Sequence, residues 1–439
     1  MDAPLTRRAI VTQAWPIMLG QATIPLVGLV DTAVIGQTGD TLALAGVALG
    51  ATIINFFFWT FGFLRMGVTG LTAQAEGAGD GREVHALLAR GVALGFGFGV
   101  VLLALQAALV PLALRLLAGG PEIDGPARAF VSARFLSAPA LLGGYAINGW
   151  LLGLGRTRAA LAIQIVANLA NIALDTLFVW HFHWGAHGVG LGTAAADWIA
   201  FAVGIAMVAR GFGRIGRDGL FEMKAMRRLI AVNADIMIRT VALLVMFAWF
   251  ANGGARLGAT HLAANQVLMQ FVSISAFVLD GFCFTAESRI GQAIGAGSRP
   301  GFWRAMRLTG ELCLAAAAGF ALLVWSAGGM MVDALVASED VRDAAYAMMP
   351  LVALVPLIGV PAWLLDGVFI GATAGRALRN AAIVSTAAYI ATDLLLRPFG
   401  ATGLWCALIA GYAYRALALG AFLPSLSARI TVAKVATAA

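Results

Sequence analysis

Charge is scarce in these 439 residues. Only 12% are Asp, Glu, Lys or Arg, whereas 61% are hydrophobic, and the mean hydropathy is strongly positive. So little polar surface excludes a water-soluble globular chain of this length and leaves membrane embedding as the class that fits. Cysteine is nearly absent as well. Cys283, Cys313 and Cys406 all lie inside apolar runs without metal-ligand spacing, so they read as free buried thiols. There is no phosphate-binding loop of the G-x-x-x-x-G-K type, which argues against ATP as a driving force. No Ser–His–Asp or H-E-x-x-H pattern occurs, which disfavours a membrane enzyme. The net charge of +7 does not point to nucleic acid, because the arginines sit in short loops between apolar runs.

What the sequence does have is helix-length apolar runs. They fall at 10–36, 44–70, 86–115, 127–152, 159–183, 188–210, 226–252, 261–288, 303–326, 344–371, 378–396 and 402–424. Each is long enough for a crossing of about 20 residues. Arg7 and Arg8 precede a run containing Pro16, Pro25 and Asp31. No small-residue cleavage site follows, so a retained first helix is expected rather than a signal peptide. The loops alternate in charge. One set carries Arg82, Arg156, the basic stretch from Arg210 to Arg228, Arg299 and Arg376; the other carries Asp40, Glu122, Asp124, the His181–His187 stretch, Arg256 and the acidic stretch from Asp333 to Asp343. The positive-inside rule places the first set and both termini in the cytoplasm.

The sequence also repeats itself. At a shift of 218 positions, Gln74, Gly77, Ala78 and Gly79 fall on Gln292, Gly295, Ala296 and Gly297. Asn148 and Gly149 fall on Asp366 and Gly367, Gly153 on Gly371, and Asp175 on Asp393. Each half holds six helices, an even number, so both halves have the same orientation in the membrane. The expected fold is therefore all-α, with twelve transmembrane helices in two six-helix pseudo-symmetric lobes. These are an N-lobe over 1–210, a cytoplasmic linker over 211–228 and a C-lobe over 229–439.

Ionisable groups inside membrane spans are costly, which makes each a functional candidate. Asp31 lies about five residues from the outer end of the first helix. With no cation beside it in sequence, it is suited to exchanging a proton with the outside. Pro25, six residues earlier, removes a backbone donor and allows a bend there. Asn171 and Asp175 in "NLANIALD" are four apart and share a helix face. Thr193 in the returning helix reaches a similar depth. Two carboxylates, an amide and a hydroxyl at one level suit a proton relay or a hard monovalent cation.

The second half does not repeat this set: Asp31 falls on Trp249 and Asn171 on Tyr389, and only Asp175 keeps an acidic counterpart, Asp393. Coupling is therefore expected in the first lobe. Asp280 and Asp366, each followed by Gly, are polar points of the second lobe, and Arg65 and Arg239 lie in or near apolar spans. His181, His183 and His187 fall in a short outer turn without a nearby acid or thiol, and no metal site is expected there.

The motifs "VDTAVIG", "FLRMGVTGLTAQAEGAG", "NIALD", "LDGFCFTAESRIGQAIGAG" and "LLDGVFIGAT" together resemble the multidrug and toxic compound extrusion (MATE) transporters, nearest their DinF-type branch. The resemblance runs over nearly the whole chain. It implies two six-helix lobes with a cleft between them, and export of organic cations or amphipathic compounds by antiport with protons or sodium ions. It implies cation-coupling roles for Asp31, Asn171, Asp175 and Thr193, with Asn148 in the same network. Asp366 resembles one acid of a second-lobe cation site found in another branch, but Asp235 is not a convincing match for its partner. No cofactor is expected beyond the coupling ion, and no partner beyond small-molecule substrates and the lipid bilayer. A functional monomer is expected. A lipid-precursor flippase of related architecture is the alternative. It needs a strongly cationic central cavity, whereas the intramembrane charges near the expected cleft read as mainly acidic.

Overall fold

A computed structural model describes residues 5–117, 120–212 and 222–436. The expected linker lies partly outside the described residues, at 213–221. Helices are α1 (Arg7–Gly36), α2 (Thr41–Thr60), α3 (Phe63–Gly77), α4 (Gly81–Leu117), α5 (Pro121–Phe135), α6 (Ala138–Gly153), α7 (Thr157–Thr176), α8 (Gly185–Phe212), α9 (Met223–Arg256), α10 (Ala259–Gly295), α11 (Arg299–Leu335), α12 (Glu339–Gly371), α13 (Gly375–Leu396) and α14 (Gly400–Ala436). No strand occurs among the described residues.

These helices make twelve crossings. Ten helical segments are long and apolar enough to span, and α2 with α3 form one of them. The pair α5 and α6, bent by 51°, makes an eleventh. The last of the ten, Gly375–Ile430, has 56 residues. At about 1.5 Å per residue it far exceeds a hydrocarbon core of about 30 Å. It is broken by a 3-10 turn at Arg397–Phe399, and Thr392 Oγ1 lies 3.0 Å from the Tyr414 hydroxyl, so the chain doubles back and crosses twice. Large apolar side chains face outward in a way that water would not tolerate but lipid does: Leu395 is 77% exposed and Trp325 71%.

The repeat shows in the turns as well as in the letters. Gly79 and its counterpart Gly297 both have left-handed backbone, φ 73° and 63°, which glycine adopts without strain. The next residue caps a helix in each half. Asp80 Oδ1 accepts from the Glu83 N–H at 2.9 Å, and Ser298 Oγ from the Gly301 N–H at 3.1 Å.

Contacts divide the chain into two compact units. One holds Met1–Met18, Ala73–Gly79 and Ile230–Ala439; the other holds Leu19–Thr72 and Asp80–Leu229. In the first unit, Gln74 Nε2 donates to the Gly371 carbonyl at 3.0 Å and to Thr373 Oγ1 at 3.1 Å. Its aromatic core centres on Trp405, edge-on to Phe250 at 5.0 Å, with the indole N–H donated to Asn265 Oδ1 at 2.9 Å. In the second unit, small residues bring helices close. A side chain at Gly95 on α4 would come within 2.8 Å of the Leu142 backbone on α6, and one at Gly50 on α2 within 2.5 Å of Phe130 on α5.

Candidate functional site: a buried acid cluster in the second unit

Helix α1 runs unbroken through Pro25 and carries Asp31 near its end. Helix α7 presents Asn171 and Asp175 one turn apart. It is followed at once by a π-helical turn, Leu177–His181, which redirects the chain toward α8. Trp180 in that turn donates its indole N–H to the Val34 carbonyl at 3.0 Å and ties the turn to α1 three residues beyond Asp31. Helix α8 supplies Thr193.

One amide holds the cluster together. Asn171 Nδ2 lies 2.8 Å from Asp175 Oδ2, 3.0 Å from Thr193 Oγ1 and 3.4 Å from Asp31 Oδ1. The amide has only two hydrogens, so the longest contact, to Asp31, is the weakest. Asp175 is 0% exposed, Asn171 2%, Thr193 5% and Asp31 8%. The two carboxyls also interact electrostatically with each other. Among the described residues no donor reaches Asn171 Oδ1 or Asp175 Oδ1. Buried acceptors without donors call for a proton or a cation. The close fit depends on Gly192. A methyl there would overlap Asp175 Oδ1 and stand 2.9 Å from the Asp175 backbone nitrogen.

Asn148 is half-buried on α6 and makes none of these contacts. The cluster has instead two neighbours that the sequence reading passed over. Arg134, at the end of α5, donates to Asp197 Oδ2 on α8 at 2.7 Å and to Ser137 Oγ at 3.2 Å. Its guanidinium lies 5.6 Å from the centre of the Phe58 ring. Arg134 interacts electrostatically with both Asp31 and Asp175. Both residues fall inside expected spans, at 127–152 and 188–210, so the rule that singled out Asp31 covers them too.

The first unit treats the matched positions differently. Asp393, the counterpart of Asp175, accepts the Trp249 indole N–H at 2.8 Å, and Trp249 is the counterpart of Asp31. The contact between the two helices is therefore retained, with an indole in place of a carboxyl. Arg256 closes on the same carboxylate at 3.1 Å and lies 5.8 Å from the Trp249 ring centre. Tyr389, the counterpart of Asn171, is fully buried, with no partner for its hydroxyl among the described residues. Asp366 is buried and accepts hydrogen bonds from both Arg239 and Arg415. Asp280 is half-buried, and it and the buried Glu287 interact electrostatically with Arg239. Buried arginines accompany the buried acids: Arg90, Arg134, Arg239 and Arg415 are buried, as are Asp31, Asp175, Glu287, Asp366 and Asp393.

Comparison with known proteins places this architecture. The MatE family profile matches residues 16–177 and 236–395, one segment in each half. The chain belongs to the MatE family. It is a polytopic membrane transporter of the MATE type. It is 37% identical to the DNA damage-inducible protein F of Escherichia coli K12, over 94% of this chain and 91% of that one. It is 26% identical to a probable multidrug resistance protein NorM of Pseudomonas syringae, over 93% of each. Its fold matches the crystal structure of the Vibrio cholerae MATE transporter VcmN in its bent form, with a TM-score of 0.86, 18% identity, and coverage of 97% of this chain and 98% of that one.

Proposed function

We propose that this MATE transporter is a secondary active exporter. It releases organic cations or amphipathic compounds by alternating access, driven by inward flow of protons, with sodium ions as the alternative coupling ion. Asp31 and Asp175 bind the coupling ion, and Asn171 and Thr193 position them. The carrying observation is the buried cluster in which one amide spans two carboxyls and a hydroxyl, with acceptor oxygens left over. The name of the Pseudomonas syringae relative, a multidrug resistance protein, supports the substrate class. Ion and substrate binding are reciprocal: if bound ion weakens substrate binding, bound substrate weakens ion binding by the same factor. The protein works as a monomer in the bacterial inner membrane, with both termini cytoplasmic.

The test is transport of a fluorescent organic cation, ethidium, in proteoliposomes with proton and sodium gradients imposed independently. Proton-driven movement in the wild type and its loss in Asp31→Asn are expected. Undiminished pH-dependent transport by Asp31→Asn at normal incorporation removes Asp31 from the mechanism. Transport driven by sodium alone transfers the coupling to that ion. Rescue of a lipid-precursor translocation defect, without ethidium transport, replaces the exporter reading.

A further inference from the structure

The ion pair of Arg134 with Asp197 lies beside the acid cluster, and its placement suggests a use. Thr193 and Asp197 are four apart on α8, so they share one face, separated by about 6 Å of helix rise. Thr193 meets Asn171 at 3.0 Å, and Asp197 meets Arg134 at 2.7 Å. The guanidinium therefore sits one turn further along α8 than the acid cluster. Arg134 also occupies a break in the backbone. The α5 helix ends one residue later, and the chain bends by 51° into α6.

We infer that Arg134 is the exchangeable counter-cation of the Asp31–Asp175 pair, held by Asp197 while the pair carries its proton and shared with the pair when the proton leaves. The inference rests on the proton-coupled reading above and sharpens it. A guanidinium this near disfavours a metal cation bound at the pair and favours departure of its proton. The groups facing Arg134 from the helices around it are Asp31, Asp175 and Asp197. Tyr145, with Arg65 nearby, also interacts with it. The duplicated half shows the alternative arrangement. There Asp393 has Arg256 directly on its carboxylate, a fixed pairing. In the second unit the arginine has its own acid, so it remains one turn away.

The test is the infrared band of protonated carboxyls in the full-length protein reconstituted in lipid, at one fixed pH near neutrality. Asp31→Asn and Asp175→Asn identify the contribution of the pair. Asp197→Asn frees Arg134 to neutralise the pair, and the band should fall at least several-fold. Arg134→Gln removes the counter-cation, and the band should rise. Arg134→Lys should stay near the wild type. If Arg134→Gln fails to insert because Asp197 is left unpaired, the doubly neutral Arg134→Gln, Asp197→Asn variant carries the same expectation of a rise. Shifts in the same direction for Asp197→Asn and the Arg134 variants, or no shift in either, overturn the inference. So does failure of Asp197→Asn to accumulate, because the pair would then not be accepting the freed arginine. The readout needs neither substrate nor gradient. Loss of the exporter reading in the ethidium assay is therefore distinguishable from loss of this one.

Discussion

Replacing Gly192 with Ala perturbs the acid cluster without touching a charge. The new methyl would overlap Asp175 Oδ1 and stand 2.9 Å from the Asp175 backbone nitrogen and 3.1 Å from its Cα. Two of these three neighbours are backbone, so no rotamer change relieves the contact. Helices α7 and α8 must separate by roughly half an ångström for the added carbon to reach ordinary contact distance. Overpacking of this kind costs about 1–3 kcal/mol. Thr193 is the adjacent residue, and its 3.0 Å contact with Asn171 lengthens toward the limit of a hydrogen bond. Losing it adds about 1 kcal/mol. The expected total is about 2–4 kcal/mol, and the part that falls on ion binding alters proton coupling by at least tenfold. Two measurements separate the effects: thermal denaturation of the purified protein, and the pH dependence of ethidium transport in proteoliposomes. Gly95→Ala is the control. It overpacks α4 against the Leu142 backbone on α6 and should lower stability while leaving the pH dependence alone. A Gly192→Ala protein with wild-type stability and wild-type pH dependence refutes the tight closure of α7 and α8 around Asp175.

Other substitutions probe the rest of the arrangement. Asn171→Ala deprives Asp175 of its amide donor at 2.8 Å, a loss of about 0.5–1.5 kcal/mol for a typical hydrogen bond; the pH dependence of transport should shift or flatten, whereas retention of the wild-type profile refutes the role of the amide. Trp249→Phe removes one donor from Asp393 but leaves Arg256 in place, so stability should fall by about 1 kcal/mol and the pH dependence should not change; a changed profile refutes the seating of coupling in the first lobe. Asp366→Leu strands the buried Arg415, while Arg239 keeps Glu287 and Asp280 nearby, and should cost about 3–5 kcal/mol in thermal or denaturant unfolding, whereas Arg415→Met leaves Asp366 paired with Arg239 and should cost less. Equal losses in those two variants refute the shared pairing.

The sequence by itself determined the crossings, the duplication and the depth of the main polar groups. These are local or periodic properties. A run of about 20 apolar residues has to span, arginine-bearing loops stay on one side, and residues four apart on a helix share a face. Asp31, Asn171, Asp175 and Thr193 could therefore be placed at one level without knowing their neighbours, and the structure brings those four within hydrogen-bonding range. Depth and face do not say which helix lies opposite, and in spans this rich in glycine and alanine many faces can pack equally well. Only the tertiary structure paired Arg134 with Asp197 across 63 residues, and Asp366 with Arg239 across 127 and with Arg415 across 49. It also left Asn148 outside the cluster, as its deeper position in the span allows. The same duplicated frame supports a carboxyl pair in one half and an indole on a carboxylate in the other. The same two helices meet in both halves, and the side chains that meet there set the chemistry.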